Sequence, residues 1–295
     1  MRLVKQSYEI WEQSTGETQN EILNAVYKQI ERAARVCYKS ELNTTEDSAM
    51  TMVDKLIKSG HMAMLEHGTV YLDIKLDGDG FEMIDKYIDN KYSYATIFNQ
   101  NAYITTNMRV LVENGWMDDV QYICNPTEYH EKRICVKFIC DRGVSHEFVR
   151  HRVFSFAQES TRFCNYSKDK FGHQLTFIIP LWCKNIQETD SYDFNELNSN
   201  RVSVMPSEQA LLVGYDQLEK LYFELIDMGW KPQQARTILP TGIKTELVMT
   251  GTMTDWEHFF DLRSRGTTGA PHPQAKELAE PLEQEFKLKY HDICD

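Results

Sequence analysis

The stretch Ile134-Cys135-Val136-Lys137-Phe138-Ile139-Cys140-Asp141-Arg142-Gly143 decides the fold class. Ile134, Val136, Phe138 and Cys140 take every second place, a two-residue period that lines one face of a half-buried strand. Asp141-Arg142-Gly143 breaks the alternation, and a short helix is expected to start near Ser145. On either side lie three more strands: Val70 to Leu76, Leu175 to Ile179 stopped by Pro180, and a strand through Glu246, Val248 and Thr250. Between them the apolar spacing changes to three and four residues. Ile22, Val26, Ile30, Ala33 and Cys37 mark a helix over Glu21–Cys37. Asn43-Thr44-Thr45 cap a second, which runs to Ser59 and stops at Gly60. Pro206 opens a long helix through Leu211, Tyr215, Leu218, Tyr222 and Leu225, ended by Gly229. Pro232 opens a short one that stops before Pro240. Thr254-Asp255-Trp256-Glu257 reads as a capping box for a helix through Phe259, Phe260 and Leu262. Pro273 starts the last helix, kinked or restarted at Pro281. Asp77-Gly78-Asp79-Gly80 reads as a turn. Residues 81–130, rich in Tyr, Asn and Asp, yield one helix, Thr106 to Glu113. Lys184 to Val204 reads as a polar surface excursion. The sum is an α+β fold of a single domain over residues 1–295, with helices around a small, mainly antiparallel sheet.

Composition excludes several classes. With 295 residues, 42% hydrophobic and 26% charged, the chain can build its own core. No run approaches the roughly 18 apolar residues of a membrane helix. Met1 to Gln19 has neither a signal-peptide nor a transit pattern, so a cytoplasmic protein away from membranes is expected. The net charge of −12 disfavours a nucleic-acid polymer as partner. Within Arg133 to Phe163, however, Arg133, Lys137, Arg142, Arg150, Arg152 and Arg162 face only Asp141, Glu147 and Glu159, a local excess that suits a small anion. Seven cysteines without a C-x-x-C read as reduced thiols rather than a disulfide or zinc framework.

The chemistry concentrates in Arg150-His151-Arg152-Val153-Phe154-Ser155-Phe156-Ala157-Gln158-Glu159-Ser160-Thr161-Arg162-Phe163. Guanidinium forks match phosphate oxygens and planar carbonyl edges, and hydroxyls add neutral hydrogen bonds. A solvated basic loop is the plainer alternative. The chain has no G-x-x-x-x-G-K-[ST], no G-x-G-x-x-G after a strand and no G-x-S-x-G, so a nucleotide would have to be held by arginines.

R-H-R-x-x-S-x-x-x-x-S-x-R at Arg150–Arg162 resembles the signature of the flavin-dependent thymidylate synthases. Four further stretches agree in order: Ala33-Ala34-Arg35-Val36-Cys37-Tyr38; His61 to His67, an H-x-x-x-x-E-H; Ala235-Arg236-Thr237-Ile238-Leu239-Pro240, similar to A-R-x-x-L-P; and Phe260-Asp261-Leu262-Arg263 followed by His272-Pro273-Gln274-Ala275. They span the chain outside two apparent insertions, at about 78–130 and 184–205. The resemblance implies an enzyme making dTMP from dUMP, with methylenetetrahydrofolate as carbon donor and NADPH reducing bound FAD. It also implies a homotetramer with active sites where subunits meet.

By resemblance, Ala63, Glu66, Arg150, His151, Arg152 and His258 contact FAD. Glu147, Arg150, Gln158, Glu159, Ser160, Thr161, Arg162, Arg236 and Arg263 contact dUMP, with Arg236 at its phosphate. Arg263 faces the uracil and favours its ionised form, an electrostatic catalytic role. Alternatives remain for several residues. Arg236 could form a surface ion pair, His61 and His67 could be satisfied core or surface histidines, and Arg263 could complement a helix dipole. Ser160 or Cys164 could be a nucleophile, though neither has an adjacent base in sequence. Cys140, His146 and His151 could hold a metal, but the flanking arginines would repel it, and no metal is expected. The chain departs from the family pattern at Ala157 (commonly Asn), Gln158 (commonly an acid) and Phe163 (commonly Tyr), and Ala63 and Thr252 stand where polar flavin contacts are frequent. A rival reading is therefore a nucleotide-binding relative without productive flavin, and a second is a nucleic-acid binder.

Overall fold

A computed structural model describes residues 1–77, 80–192 and 205–290. In chain order its strands are β1 (Arg2–Val4), β2 (Ser7–Trp11), β3 (Thr69–Lys75), β4 (Tyr94–Phe98), β5 (Asn101–Asn107), β6 (Arg133–Asp141), β7 (Ser155–Gln158), β8 (Thr176–Ile178) and β9 (Lys244–Thr252). Its helices are α1 (Gln19–Tyr38), α2 (Ser48–Lys58), α3 (Gly80–Ile88), α4 (Met108–Asn114), α5 (Arg142–Phe148), α6 (Pro206–Asp227), α7 (Pro232–Ala235), α8 (Met253–Phe260) and α9 (Pro273–Lys289). The class is α+β with mainly antiparallel pairing, and the strands divide among three sheets. The largest is antiparallel in the order β2-β6-β9-β7, with β6 and β9 paired from Arg133↔Thr252 to Asp141↔Lys244. A second antiparallel sheet runs β3-β5-β4, and β1 pairs β8 in parallel.

The inward face of β6 is the one its alternation predicts. Ile134, Val136, Phe138 and Cys140 pack with Phe148 of α5, Trp256, Phe259 and Phe260 of α8, and Phe286 of α9. A second core joins Ile22, Val26 and Ile30 of α1 to Val70, Leu72 and Ile74 of β3 and Ala102 and Ile104 of β5. A third lies under α6, where Tyr215 stacks on Phe177 with ring centroids 4.1 Å apart. Helix α1 begins at Gln19 because Thr18 and Glu21 form a capping box.

Several expectations need correcting. The cap of α8 is Thr252, with Asp255 at its third position, and not Thr254 with Glu257. Helix α9 runs through Pro281 without a break; the hydrogen bond lost there belongs to the carbonyl of exposed Glu277, which water can satisfy. The helix expected from Thr106 starts at Met108, because Asn101–Asn107 pairs as β5. Of the turn at 77–80, Gly78 and Asp79 lie outside the described residues, and Gly80 already opens α3. Of the excursion at 184–204, residues 193–204 lie outside the described residues. Its first part is not simply surface, since Ile186 is buried and Thr189 bridges to Leu3. Among the described residues no helix is long and apolar enough to cross a membrane.

Candidate functional site

Thr252 starts α8 at the end of β9, and the helix passes into a π-helical turn, Asp261–Arg265, closed by Gly266 at φ 71°. Such wide turns are rare and re-aim side chains. Here the turn sends Arg263 back to α5. Its Nε donates to His151 Nε2 at 3.1 Å, one terminal nitrogen to Glu147 Oε2 at 2.7 Å and the other to the Glu147 carbonyl at 2.8 Å. These three bonds leave two guanidinium N–H groups uncommitted. Burial, then the Arg263 cation, then His258 push the His151 pKa down to about 4. The ring is therefore neutral at pH 7 and carries its proton on Nδ1, since Nε2 accepts. Phe259 packs on it at 5.0 Å and His258 lies 6.0 Å away. The arrangement is a held cation with a carboxylate behind it, suited to stabilising negative charge that develops in front.

A second group collects around the end of the motif. The Ser160 amide donates to the Cys37 carbonyl, and its hydroxyl accepts from the Arg162 amide. Arg162 reaches Gln233 of α7 at 3.4 Å, and its guanidinium lies 5.3 Å from the Phe163 ring, which packs on Tyr38. Arg236, three residues after Gln233 on the same short helical run, is exposed and makes no side-chain hydrogen bond or ion pair among the described residues. Its surface ion pair is thus absent there. No hydrogen bond or ion pair joins Arg162 or Arg236 to the Arg263 cluster among the described residues.

Gln158 and Glu159 face inward. The Gln158 side-chain Nε2 donates to the Ser145 and Thr245 hydroxyls. The Glu159 carboxylate accepts from Lys244 at 2.8 Å and from the Tyr166 hydroxyl at 3.0 Å. Lys244 also pairs with Glu246, which Lys39 and Lys137 each approach to 2.8 Å. Burial alone would raise the Glu246 carboxyl, but Lys244, Lys39 and Lys137 outweigh it and hold it well below the usual carboxylate range. Thr161 is buried beside this network's loop. Cys164 is fully buried; burial first, and then Glu159, push its thiol up to about 12, so it is a poor nucleophile at neutral pH.

A third group lines a cavity of about 430 Å3 between the two antiparallel sheets. Glu66 and Arg152, both expected at a flavin, meet there with Arg133, Asp255, Tyr92 and Tyr94. Gly68 lets the turn carrying Glu66 settle on α1, because a Cβ there would lie 2.6 Å from the Ile30 side chain. Arg133 donates to the Glu66 carbonyl, Thr69 and Ser155, with no carboxylate at bonding distance. The cavity's two acids are already engaged: Arg109 holds Glu66 at 2.6 Å, and Asp255 accepts from the Thr252 amide at 2.8 Å. Arg152 makes no side-chain hydrogen bond or ion pair among the described residues. Cationic capacity is thus left over for an anion. Ala63, Arg150 and His258 are exposed and do not line this cavity, and His151 stands in the Arg263 cluster. His61 is exposed, whereas His67 is a core residue bonded to Thr250 at 2.8 Å. Cys140 is sealed in the core while His146 faces solvent, and among the described residues no three His, Cys, Asp or Glu side chains converge as metal ligands. The sequence reading passed over Arg133, Lys91, Tyr92, Tyr94 and Asp255 as cavity residues; the only signal was Arg133 in the local basic excess.

The family model described as thymidylate synthase complementing protein matches residues 128–290, more than half of the chain. A flavin-dependent thymidylate synthase of Pyrococcus furiosus is 32% identical over 124 residues, covering 42% of this chain and 43% of that protein. A probable flavin-dependent thymidylate synthase of Paramecium bursaria Chlorella virus 1 is 30% identical over 131 residues, covering 44% and 56%. The matched stretch spans about half the length of these curated relatives. A solved UMP/dUMP methylase from Streptomyces cacaoi, bound with 5-Br UMP, aligns at a TM-score of 0.43 and 15% identity over 98% of this chain and 92% of that one.

Proposed function

Because the chain belongs to the thymidylate synthase complementing protein family, we propose that it is a flavin-dependent thymidylate synthase. It converts dUMP to dTMP, with methylenetetrahydrofolate as carbon donor and NADPH-reduced FAD as hydride source. The observation that carries the reading is Arg263, held by Glu147 and His151 with two N–H groups still available. A fixed guanidinium does little for a neutral uracil and much for the ionised ring that supplies the electron pair of the new carbon–carbon bond, which is the condition for lowering a barrier. Arg236 and Arg162, exposed at one edge, suit the 5′-phosphate.

The cavity between the sheets fits FAD by its chemistry, with Arg133 and Arg152 for phosphate oxygens and Phe154, Tyr92 and Tyr94 for a ring. When bound, FAD supplies the redox chemistry that the new methyl group requires. Glu66 and Asp255 stand at its wall; Arg109 compensates the Glu66 charge, and Arg133, Arg152 and Lys91 outnumber the one remaining carboxylate of the lining, Asp255. A homotetramer with active sites where subunits meet belongs to the same reading, with Arg162 and Arg236 at one edge and the Arg263 cluster joined by no hydrogen bond or ion pair among the described residues. The six described cysteines are all free, which suits the cytoplasm.

The test is turnover. Purified protein supplied with dUMP, methylenetetrahydrofolate, FAD and NADPH should form dTMP, followed by chromatography of the nucleotides. Absence of dTMP, with dUMP bound by calorimetry, would leave only a nucleotide binder.

A further inference from the structure

The segment leading into β4 and the first residue of that strand lie outside every motif of the sequence, yet they supply three residues to the cavity between the sheets: Lys91, Tyr92 and Tyr94. Its backbone is tied down. The Tyr92 amide donates to Asn90 Oδ1 at 2.9 Å and the Ser93 amide to the Asn90 carbonyl at 3.0 Å. The Ser93 hydroxyl lies 2.8 Å from that of buried Thr106 on β5. Tyr92 belongs to the turn Asn90–Ser93 and Tyr94 opens β4, and both side chains line the cavity. Both rings are large and open, at 57% and 42% exposure, and the Lys91 ammonium sits 4.7 Å from the Tyr92 ring. Two part-exposed phenol rings lining one cavity, with Lys91 beside Tyr92 and with Arg133 and Arg152 in the same lining, form a receptor for a flat ring carrying phosphate.

We infer that Tyr92 and Tyr94 are the stacking wall for a planar ring of the bound dinucleotide, and that Lys91 contacts its phosphates. This rests on the reading that the cavity takes FAD. The wall is a binding element of this chain's own segment at 91–94, and Arg152 faces it as a phosphate contact.

The experiment titrates FAD, riboflavin and ADP separately into wild type, Tyr92→Ala/Tyr94→Ala, Tyr92→Phe/Tyr94→Phe and Lys91→Ala, following flavin fluorescence, or calorimetry for ADP. Loss of the two rings should weaken FAD about tenfold or more, the scale of ring stacking on aromatic side chains. The Phe pair should bind nearly as wild type, since the ring face does the work. Riboflavin weakened with FAD identifies the isoalloxazine as the stacked ring, and ADP weakened in its place identifies the adenine; either supports the wall. Lys91→Ala should weaken FAD and spare riboflavin, which has no phosphate. Wild-type FAD affinity in the Ala pair overturns the inference and leaves the proposed function standing. Failure of wild type itself to bind FAD overturns the proposed function, and the inference with it. Both rings being largely exposed, the Ala pair should melt at the wild-type temperature; if it does not, the single Ala variants carry the same comparison.

Discussion

Arg263 has all three of its nitrogens engaged by two residues that stand 112 and 116 positions earlier. Its geometry is therefore set before any ligand arrives, which is what an electrostatic catalyst needs. Arg263→Ala should lower turnover about 10²–10³-fold, the usual cost of removing one such stabiliser. Arg263→Lys should not restore it, because a point charge lacks the planar fork. In the proposed reaction, reduction of the flavin by NADPH comes before any step at uracil, so it should be nearly unchanged. Stopped-flow of the two half-reactions decides: a collapse of flavin reduction with normal methyl transfer from reduced enzyme would move Arg263 to the flavin. At this scale the sequence named the residue types but not their company. Glu147 and Arg263 are both in recognisable stretches, yet their contact depends on how α5 and the π-turn are placed by β6 and β9. Glu159 shows the limit more sharply. Its place in the motif suggests a nucleotide contact, whereas its carboxylate is shared between Lys244 and Tyr166, partners with no local signature.

Elements with strong periodicity or clear caps were legible: α1, α6, β3 and β6 follow their apolar spacing to within a few residues. The β4–β5 hairpin was not. Its two-residue turn is Asn99-Gln100, with φ of 48° and 65°, where the recognisable signal is a glycine in the second place. β4 is also an exposed edge strand, so no buried face imposes an alternation on it. The start of α8 was misplaced because Thr252 and Thr254 are both plausible caps, and only the end of β9 selects between them. Thr252→Ala should cost about 1 kcal/mol of stability by losing its bond from the Asp255 amide. Thr254→Ala, at an exposed position inside the first turn, should cost under about 0.5 kcal/mol. Urea denaturation of the two variants compares them directly, and a larger loss for Thr254→Ala would reverse the assignment.

Across the whole molecule, acid acts through buried histidines before it reaches the carboxylates. Burial, then the Arg133 cation, push His67 down to about 3, and burial with Arg263 pushes His151 to about 4. Both pKa values lie below the unfolded value of about 6.5, so the unfolded chain binds the extra protons. The stability associated with these rings is present above pH 6.5 and is lost as pH falls from there through 4 and toward 3. At about 1.4 kcal/mol per pKa unit, the two rings together set an upper limit of roughly 8 kcal/mol on this loss. A second loss starts in the ordinary carboxylate range and continues below it, because the unfolded chain takes up a proton there that the lysines keep off the folded Glu246. Urea midpoints should therefore decline already between pH 6.5 and 4, and His67→Gln, uncharged throughout, should flatten that part of the curve. A midpoint constant down to pH 4 in the parent protein would contradict the assignment.

The π-turn at Asp261–Arg265 also makes the gene unusually sensitive to one kind of lesion. Each helical residue turns the chain by about 100°. Loss of a single codon upstream of Arg263 within this turn, relaxing it to an ordinary helical turn, would swing the guanidinium by about that angle away from Glu147. Its five residues span from the Gly266 amide to the Asp261 carbonyl, so the chain can close up without breaking the helix. A point substitution at Leu262 leaves the axis alone. In a complementation assay by saturation mutagenesis, in-frame deletions here should be lost from the surviving population while conservative missense changes at Leu262 persist.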